Sequence, residues 1–245
     1  MQPEPLLCVP GGAGDPAYLG DLGGLSAHRT LVFPERRPAR PATPDDIETL
    51  RIRLGLDRIA LLGHSAGANA AVRYAARHPR RVERLALVAP STRAVGIDIS
   101  AGTRLALARR RAAEPWFPAA FAALEAINAG TGADWEAVAP FRYGRWDAAA
   151  RRHHAASVAA GAVPAADDAD TPAATRAGLR ALSAPVLLLA GEFDVNSPPS
   201  AVEECAGLVP DATFRVQPGA GHYPWLDDPA RFVATLAGFL GPCRA

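Results

Sequence analysis

The chain of 245 residues carries 26 basic and 25 acidic side chains, a formal charge of +1, with 21% of residues charged. That balance supplies no field to draw nucleic acid or an anionic membrane, so neither is expected as a partner. A hydrophobic share of 49% can bury one substantial core with a smaller subdomain attached, and it argues against disorder as a description of the whole.

Residues 1–5 show no basic or long apolar segment, and no apolar run reaches 18 residues, so neither a signal peptide nor a membrane span is expected. Cys8, Cys205 and Cys243 form an odd set without C-x-x-C spacing, which fits a reducing cytoplasm. All the basic residues are arginine, a compositional bias without a functional reading.

Short apolar runs then alternate with helical periodicity, the pattern of βα units around a mostly parallel sheet flanked by helices. Strands are expected at residues 6–9, 30–33, 59–62, 85–88, 186–190 and 213–216, and helices at 45–54, 66–77, 200–208 and 229–240. The first helix opens on Asp45 and Asp46 ahead of a stripe of Ile47, Leu50 and Leu54; in the last, Asp228 and Pro229 suit the N-cap and first turn, with Phe232, Leu236, Phe239 and Leu240 recurring on one side. Between residues 90 and 183 no strand run appears, and alanine, arginine and scattered aromatics take over. This reads as a helical cap: 92–182 inserted into a core made of 1–91 and 183–245, with a polar loop at 165–175 around Asp167, Asp168 and Asp170.

The strongest chemical signal is Gly63-His64-Ser65-Ala66-Gly67, directly after one expected strand and before a helix. A sharp strand-to-helix turn strains its central residue and pushes Ser65 Oγ to the C-terminal edge of the sheet, where ligands bind in open α/β folds. A serine hydroxyl needs a base, and the base needs a carboxylate to orient it. Of six histidines, His222 lies in a glycine-rich loop between the last strand and last helix, on the same sheet edge. His64 flanks the serine and points elsewhere, and His153 and His154 fall in the insertion. Asp194 follows the strand at 186–190, with Glu192 the nearest rival, and Asp227 and Asp228 look like helix caps. The order Ser65, Asp194, His222 is that of strand-turn-helix serine sites. The oxyanion hole is expected from the backbone amides of Ala66 and of Gly12, the latter in Pro10-Gly11-Gly12-Ala13-Gly14.

No metal or other cofactor is expected. Adjacent residues on a helix, as His153 and His154 would be, diverge by about 100°, and no lysine exists for a phosphate loop. Arg109–Arg111 and Arg151–Arg152 read as solvated helix faces.

The chain resembles the α/β-hydrolase superfamily and within it the proline iminopeptidase-like branch, through VPGGAGDPAYL, LGLDRIALLGHSAGANAAVRYAARHPRRVERLALVAPS, LLLAGEFDVNSPP and GAGHYPWLDDPARF. The resemblance implies an α/β-hydrolase fold, a helical cap after the strand ending at Val88, and nucleophile, acid and base on Ser65, Asp194 and His222. It departs from the branch where HGGPG would stand, with Pro10 and Ala13 in place of histidine and proline, and at the elbow, which is GHSAG rather than GGSWG. PERRPARPATPDD after Phe33 is shorter than the family's segment there and lacks its DxRGxGxS pattern.

The expected activity is therefore cleavage of a small ester, thioester or amide through an acyl-enzyme, with a small molecule as partner and Trp116, Phe117 and Trp146 shaping an apolar pocket. Two alternatives stay open: an aminopeptidase of the iminopeptidase type, with Glu114, Glu125 or Glu136 holding a free amino group, and a non-hydrolytic cyclase or lyase of natural-product biosynthesis. Substrate identity and oligomeric state are not legible.

Overall fold

A computed structural model describes residues 3–12, 15–35, 40–159 and 170–242. Ala13, Gly14, Asp167, Asp168 and Cys243 lie outside these segments, as do four residues of the stretch after Phe33.

Six strands form one parallel sheet: β1 (Pro5–Val9), β2 (Thr30–Val32), β3 (Ile59–His64), β4 (Val82–Val88), β5 (Val186–Gly191) and β6 (Ala212–Gln217), in the order β2-β1-β3-β4-β5-β6. The side chains of each strand alternate between two apolar layers. Leu7, Val9, Leu61, Leu85, Leu87, Val186 and Leu188 face one core with helices α1 (Pro44–Arg53) and α2 (Gly67–Arg77). Leu6, Cys8, Leu62, Ala86, Val88, Leu187 and Leu189 face the other. Because both faces of β1, β3, β4 and β5 are covered, these inner strands carry unbroken apolar runs, whereas the edge strands β2 and β6 keep exposed polar positions at Thr30 and Arg215. The order reverses between β1 and β3, so the loops leaving their C-terminal ends part to either side and open a crevice.

Helix α1 begins with a capping box: Thr43 Oγ1 accepts from the Asp46 amide at 3.3 Å and the Asp46 carboxylate accepts from the Thr43 amide at 2.9 Å. Ile47 and Leu50 pack inward, whereas Leu54, expected in the same stripe, is 39% exposed because it caps the helix beyond its last turn. Glu48 joins α1 to α2, accepting from Arg51 Nε at 2.9 Å and from Tyr74 Oη at 2.8 Å. The Arg51 guanidinium, helped by Tyr74, holds its carboxyl down at about 2. A carboxyl lowered in the folded state stabilises the fold above its ordinary pKa and loses that contribution as pH falls towards 2. Glu48→Gln is therefore expected to lower Tm near neutral pH, with the gap to the parent closing between pH 4.5 and 2 in calorimetric scans.

Between β4 and β5 the chain forms a 3-10 turn (Arg93–Val95), α3 (Ala101–Arg109), α4 (Phe117–Asn128), a second 3-10 turn (Ala139–Arg142), α5 (Ala148–Ala159) and α6 (Pro172–Arg180), with no strand among the described residues. The two ends of this insertion pack with the sheet: Ala94, Val95, Ile97 and Leu179 join the core around α2. Its middle holds a separate cluster of Ala108, Ala120, Leu124, Val138 and Phe141, joined by Val195 of the loop after β5. Residues 172–175, expected as loop, open α6, because Thr171 caps the helix and Pro172 takes its first turn.

Helix α7 (Pro199–Ala206) follows β5, and after β6 come a single turn, α8 (Pro224–Asp227), and α9 (Pro229–Leu240). Asp228 caps α9, accepting from the Arg231 amide at 3.0 Å, and Phe232, Leu236 and Leu240 bury its inner face.

Candidate active site

Ser65 stands between β3 and α2 with φ of 51°, the left-handed region that costs a side-chain-bearing residue about 1–2 kcal/mol. Packing and hydrogen bonds hold it there. The Ser65 amide donates to Val88 O at 3.1 Å, and Ser65 O accepts from the amides of Ala68 at 3.1 Å and Ser91 at 2.9 Å. A Cβ on Gly67 would overlap the carbonyl oxygen of Val9, so only glycine lets α2 start this close to β1.

His222 Nε2 lies 2.8 Å from Ser65 Oγ, and its Nδ1 lies 2.7 Å from Asp194 Oδ2. Asp194 is fully buried, and its other oxygen accepts from the amides of Asn196 at 2.8 Å and Ser197 at 3.1 Å. A carboxylate so placed requires a proton on Nδ1, which leaves Nε2 to accept from the serine hydroxyl. The three residues expected from chain order thus meet, although 157 positions separate Ser65 from His222.

Glu192, the rival carboxylate, turns away: it pairs with Arg110 and accepts from the Gly219 amide at 2.7 Å. Gly11 lies against the elbow, where an added Cβ would come within 2.7 Å of Ser65 Cβ and 3.1 Å of the Ala66 nitrogen. The Gly11 amide donates to Tyr18 Oη at 2.7 Å. The amides of Gly12 and Ala66 donate to no described residue.

Two expectations need correction. Asp227 is not a helix cap: its Oδ1 accepts from the amides of Gly144 at 2.9 Å and Arg145 at 3.3 Å, and its Oδ2 from Gly221 at 2.8 Å. It ties the insertion to the loop carrying His222, whose own amide donates to Arg142 O at 2.7 Å; burial raises its carboxyl above the ordinary range despite the three amides. In the run Arg109–Arg111, expected as a solvated face, Arg109 and Arg110 are exposed but Arg111 is not. Arg111 is 5% exposed, donates to Tyr143 O at 2.9 Å, and shares the Phe193 ring with Arg110, each 5.0 Å from its centroid. With Arg104 donating to Val195 O at 2.7 Å, these residues clasp the loop that carries Asp194.

Trp116 and Phe117 pack within the insertion's own cluster, Trp116 edge-on to Phe141 at 5.0 Å. Trp146 belongs elsewhere: with Glu136, Arg151, His154, Ala155 and Val158 it lines a cavity of about 680 Å³ to which Ser65, Asp194 and His222 contribute nothing. His153 and His154 diverge as adjacent helical residues do, the first bonded to Tyr18 O at 2.9 Å and the second to Glu136 at 2.7 Å. Sequence reasoning missed Tyr18, Tyr143 and Asp227, because no local pattern distinguishes them from ordinary core or cap residues.

A strained serine after a buried parallel strand, at the crevice where strand order reverses, with histidine and aspartate arriving from later loops, is the arrangement of the α/β hydrolases. A model of the alpha/beta hydrolase fold matches residues 37–229, and the chain belongs to that family. It is 30% identical over 229 residues to a protein named as a carbamate hydrolase, RutD, from Caulobacter sp. (strain K31), covering 89% of this chain and 76% of that one. It is 37% identical over 102 residues to the (lyso)-N-acylphosphatidylethanolamine lipase of Homo sapiens, a match that covers 35% of this chain and 30% of the lipase's length. Among solved structures it is similar to proline iminopeptidase from Mycobacterium smegmatis (TM-score 0.68, 25% identity) and to a malate-bound thermophilic esterase from Thermogutta terrifontis (TM-score 0.61, 25% identity). Each comparison covers 97% of this chain and 89% of the other. No described helix is long and apolar enough to cross a membrane.

Proposed function

We propose that the protein is a serine hydrolase that cleaves a small ester, thioester or amide. The unbroken series from the Asp194 carboxylate through His222 to Ser65 Oγ carries this reading. Ser65 Oγ attacks the substrate carbonyl while His222 Nε2 takes its proton, and Asp194 holds the imidazole and balances its charge. The amides of Gly12 and Ala66, which have no acceptor among the described residues, receive the oxyanion. His222 then returns the proton to the leaving group, and water, deprotonated by the same nitrogen, releases the acyl group from Ser65.

The lid over this site is the middle of the insertion, α3 to α5, of which α3 and α4 hold a cluster of their own while Tyr143 and Ala150 seat the later part on the core. Trp116 and Phe117 belong to that lid and are proposed to face the acyl group; Trp146, in its own cavity, is not. An ester or uncharged amide is favoured over a substrate with a free amino terminus. Glu114 is bonded to Arg111 at 2.9 Å, Glu136 to His154 at 2.7 Å, and Glu125 faces Arg109 at 3.9 Å, so each carboxylate considered for an ammonium group already has a basic partner.

Rates on p-nitrophenyl esters of increasing chain length, set beside aminoacyl naphthylamides, test the reading together with labelling by a fluorophosphonate. The expected result is ester turnover and one label, recovered on the peptide holding Ser65. Preference for the naphthylamides would establish the aminopeptidase reading instead, and failure of both turnover and labelling would remove the serine mechanism.

A further inference from the structure

His64, beside the nucleophile, has no part in the proton transfer above, yet it is 1% exposed and bonded at both ring nitrogens. Its Nδ1 lies 2.7 Å from Tyr18 Oη, and its Nε2 lies 3.0 Å from the carbonyl oxygen of His222. Tyr18 Oη also accepts from the Gly11 amide at 2.7 Å. These contacts admit one placement of protons in the neutral ring. A carbonyl oxygen only accepts, so Nε2 must carry hydrogen; Nδ1 is then a lone pair, and the tyrosine hydroxyl must donate to it. The alternative tautomer would set the Nε2 lone pair against the His222 carbonyl oxygen. A charged ring is disfavoured where it stands, because burial, and then the neighbouring His222, hold its pKa well below the ordinary value. Every link therefore runs in one direction, from the Gly11 amide through the Tyr18 hydroxyl and the His64 ring to the backbone of His222.

The two ends of this series are the two halves of the chemistry. Gly11 precedes Gly12, the loop donor for the oxyanion, and with its own amide committed to Tyr18 it leaves that of Gly12 to the substrate. At the other end, the residue receiving the His64 bond is the general base itself. We propose that Tyr18 and His64 are positioning residues that tie the oxyanion loop to the backbone of His222, so that the oxyanion donor and the base are held in register across the nucleophile. The proposal rests on the serine reading and extends it to two residues that touch neither substrate nor reacting atoms. The lid joins the same frame: His153 of α5 bonds to Tyr18 O at 2.9 Å through Nε2 and to Tyr143 Oη at 2.9 Å through Nδ1.

The test is kcat per active site, titrated with a fluorophosphonate, for Tyr18→Phe, His64→Gln, His64→Phe and the double variant Tyr18→Phe/His64→Phe, with Tm measured alongside. Tyr18→Phe removes one oxygen and should lower kcat about tenfold with KM within twofold, less than the ~10²-fold that follows loss of an oxyanion donor itself. The double variant should be no slower than the slower single, as expected of residues acting as one unit, and His64→Gln, which keeps an amide donor in reach of the His222 carbonyl, should recover part of the rate lost in His64→Phe. A role in stability alone would lower Tm and leave kcat per titrated site unchanged, and that result, or additive losses in the double variant, would overturn the proposal. If the ring replacement does not fold, Tyr18→Phe and His64→Gln decide the matter by the same criteria. Ser65→Ala, with its rate taken per mole of folded protein because no serine remains to titrate, separates the two claims: turnover retained there overturns the serine reading and this proposal together, whereas turnover lost there with Tyr18→Phe at the parent rate overturns the positioning role alone.

Discussion

Ser65→Ala is expected to lower kcat on an activated ester by about 10⁵-fold or more, and Asp194→Asn by about 10⁴-fold, with little change in Tm for the serine variant. Under the proposed mechanism the first removes the atom that would form the acyl bond, leaving the amides of Gly12 and Ala66 to polarise the carbonyl for attack by water. The second is the sharper test of geometry, because the structure dictates how the new amide must sit. Asp194 Oδ1 receives two backbone amides, from Asn196 and Ser197, so an asparagine has to place its oxygen there and turn its NH₂ towards His222. Nδ1 must then accept, which moves the ring proton to Nε2 and points it at Ser65 Oγ, where a base is needed. Initial rates per mole of folded protein decide both; a Ser65→Ala protein within tenfold of the parent would mean that another group does the chemistry.

The second large effect is expected from a residue that touches no substrate. Gly191 closes β5 three positions before Asp194, and a Cβ there would overlap the carbonyl oxygen of Gly221, the residue before His222, with Ala220 O only 2.8 Å away. All these obstacles are backbone, so no side chain can rotate to make room. Gly191→Ala must push the acid loop and the base loop apart, stretching the 2.7 Å contact between Asp194 and His222. The expected cost is about 1–3 kcal/mol of stability together with about 10²-fold in kcat, the scale of a displacement near 1 Å. Gly238→Ala serves as control: nothing lies within 4 Å of its Cβ position in α9, and alanine there should raise Tm slightly. Equal effects at the two sites, measured by thermal unfolding and initial rates, would show that the close approach at Gly191 has no bearing on the site.

Much of the molecule was legible in advance because its signals are local. The inner strands β1, β3, β4 and β5 carry short apolar runs buried on both faces, and each of the six expected strand positions is occupied by a strand. The elbow Gly63–Gly67 announces itself through a single serine framed by glycines between a strand and a helix. Loops leaving the C-terminal ends of parallel strands gather on one edge, and that fact together with the chain order serine, acid, histidine pointed to Asp194 and His222 among 25 acidic residues and six histidines. Where a boundary moved, a nearby cap explains it, as with Thr171 and Pro172 at the start of α6.

What stayed hidden depends on which surfaces the insertion lays against the core. Asp227 has the look of a cap in Asp227-Asp228-Pro229, and only the arrival of Gly144 and Arg145, more than 80 positions earlier, makes it a bridge between the insertion and the His222 loop. Arg111 reads as one member of a solvated arginine run until Phe193 and Tyr143 O are brought beneath it. Tyr18 and His64 lie 46 positions apart, in segments whose sequence shows only a glycine loop and an elbow. The amino-acid order alone settled the strands, the flanking helices and the elbow, since propensity, periodicity and strained turns act over a few residues at a time. The tertiary structure alone decided how the insertion is fastened to the core, which carboxylates are already paired and what bonds to His222, because a directed hydrogen bond exists only once two distant segments have been placed within 3 Å of each other.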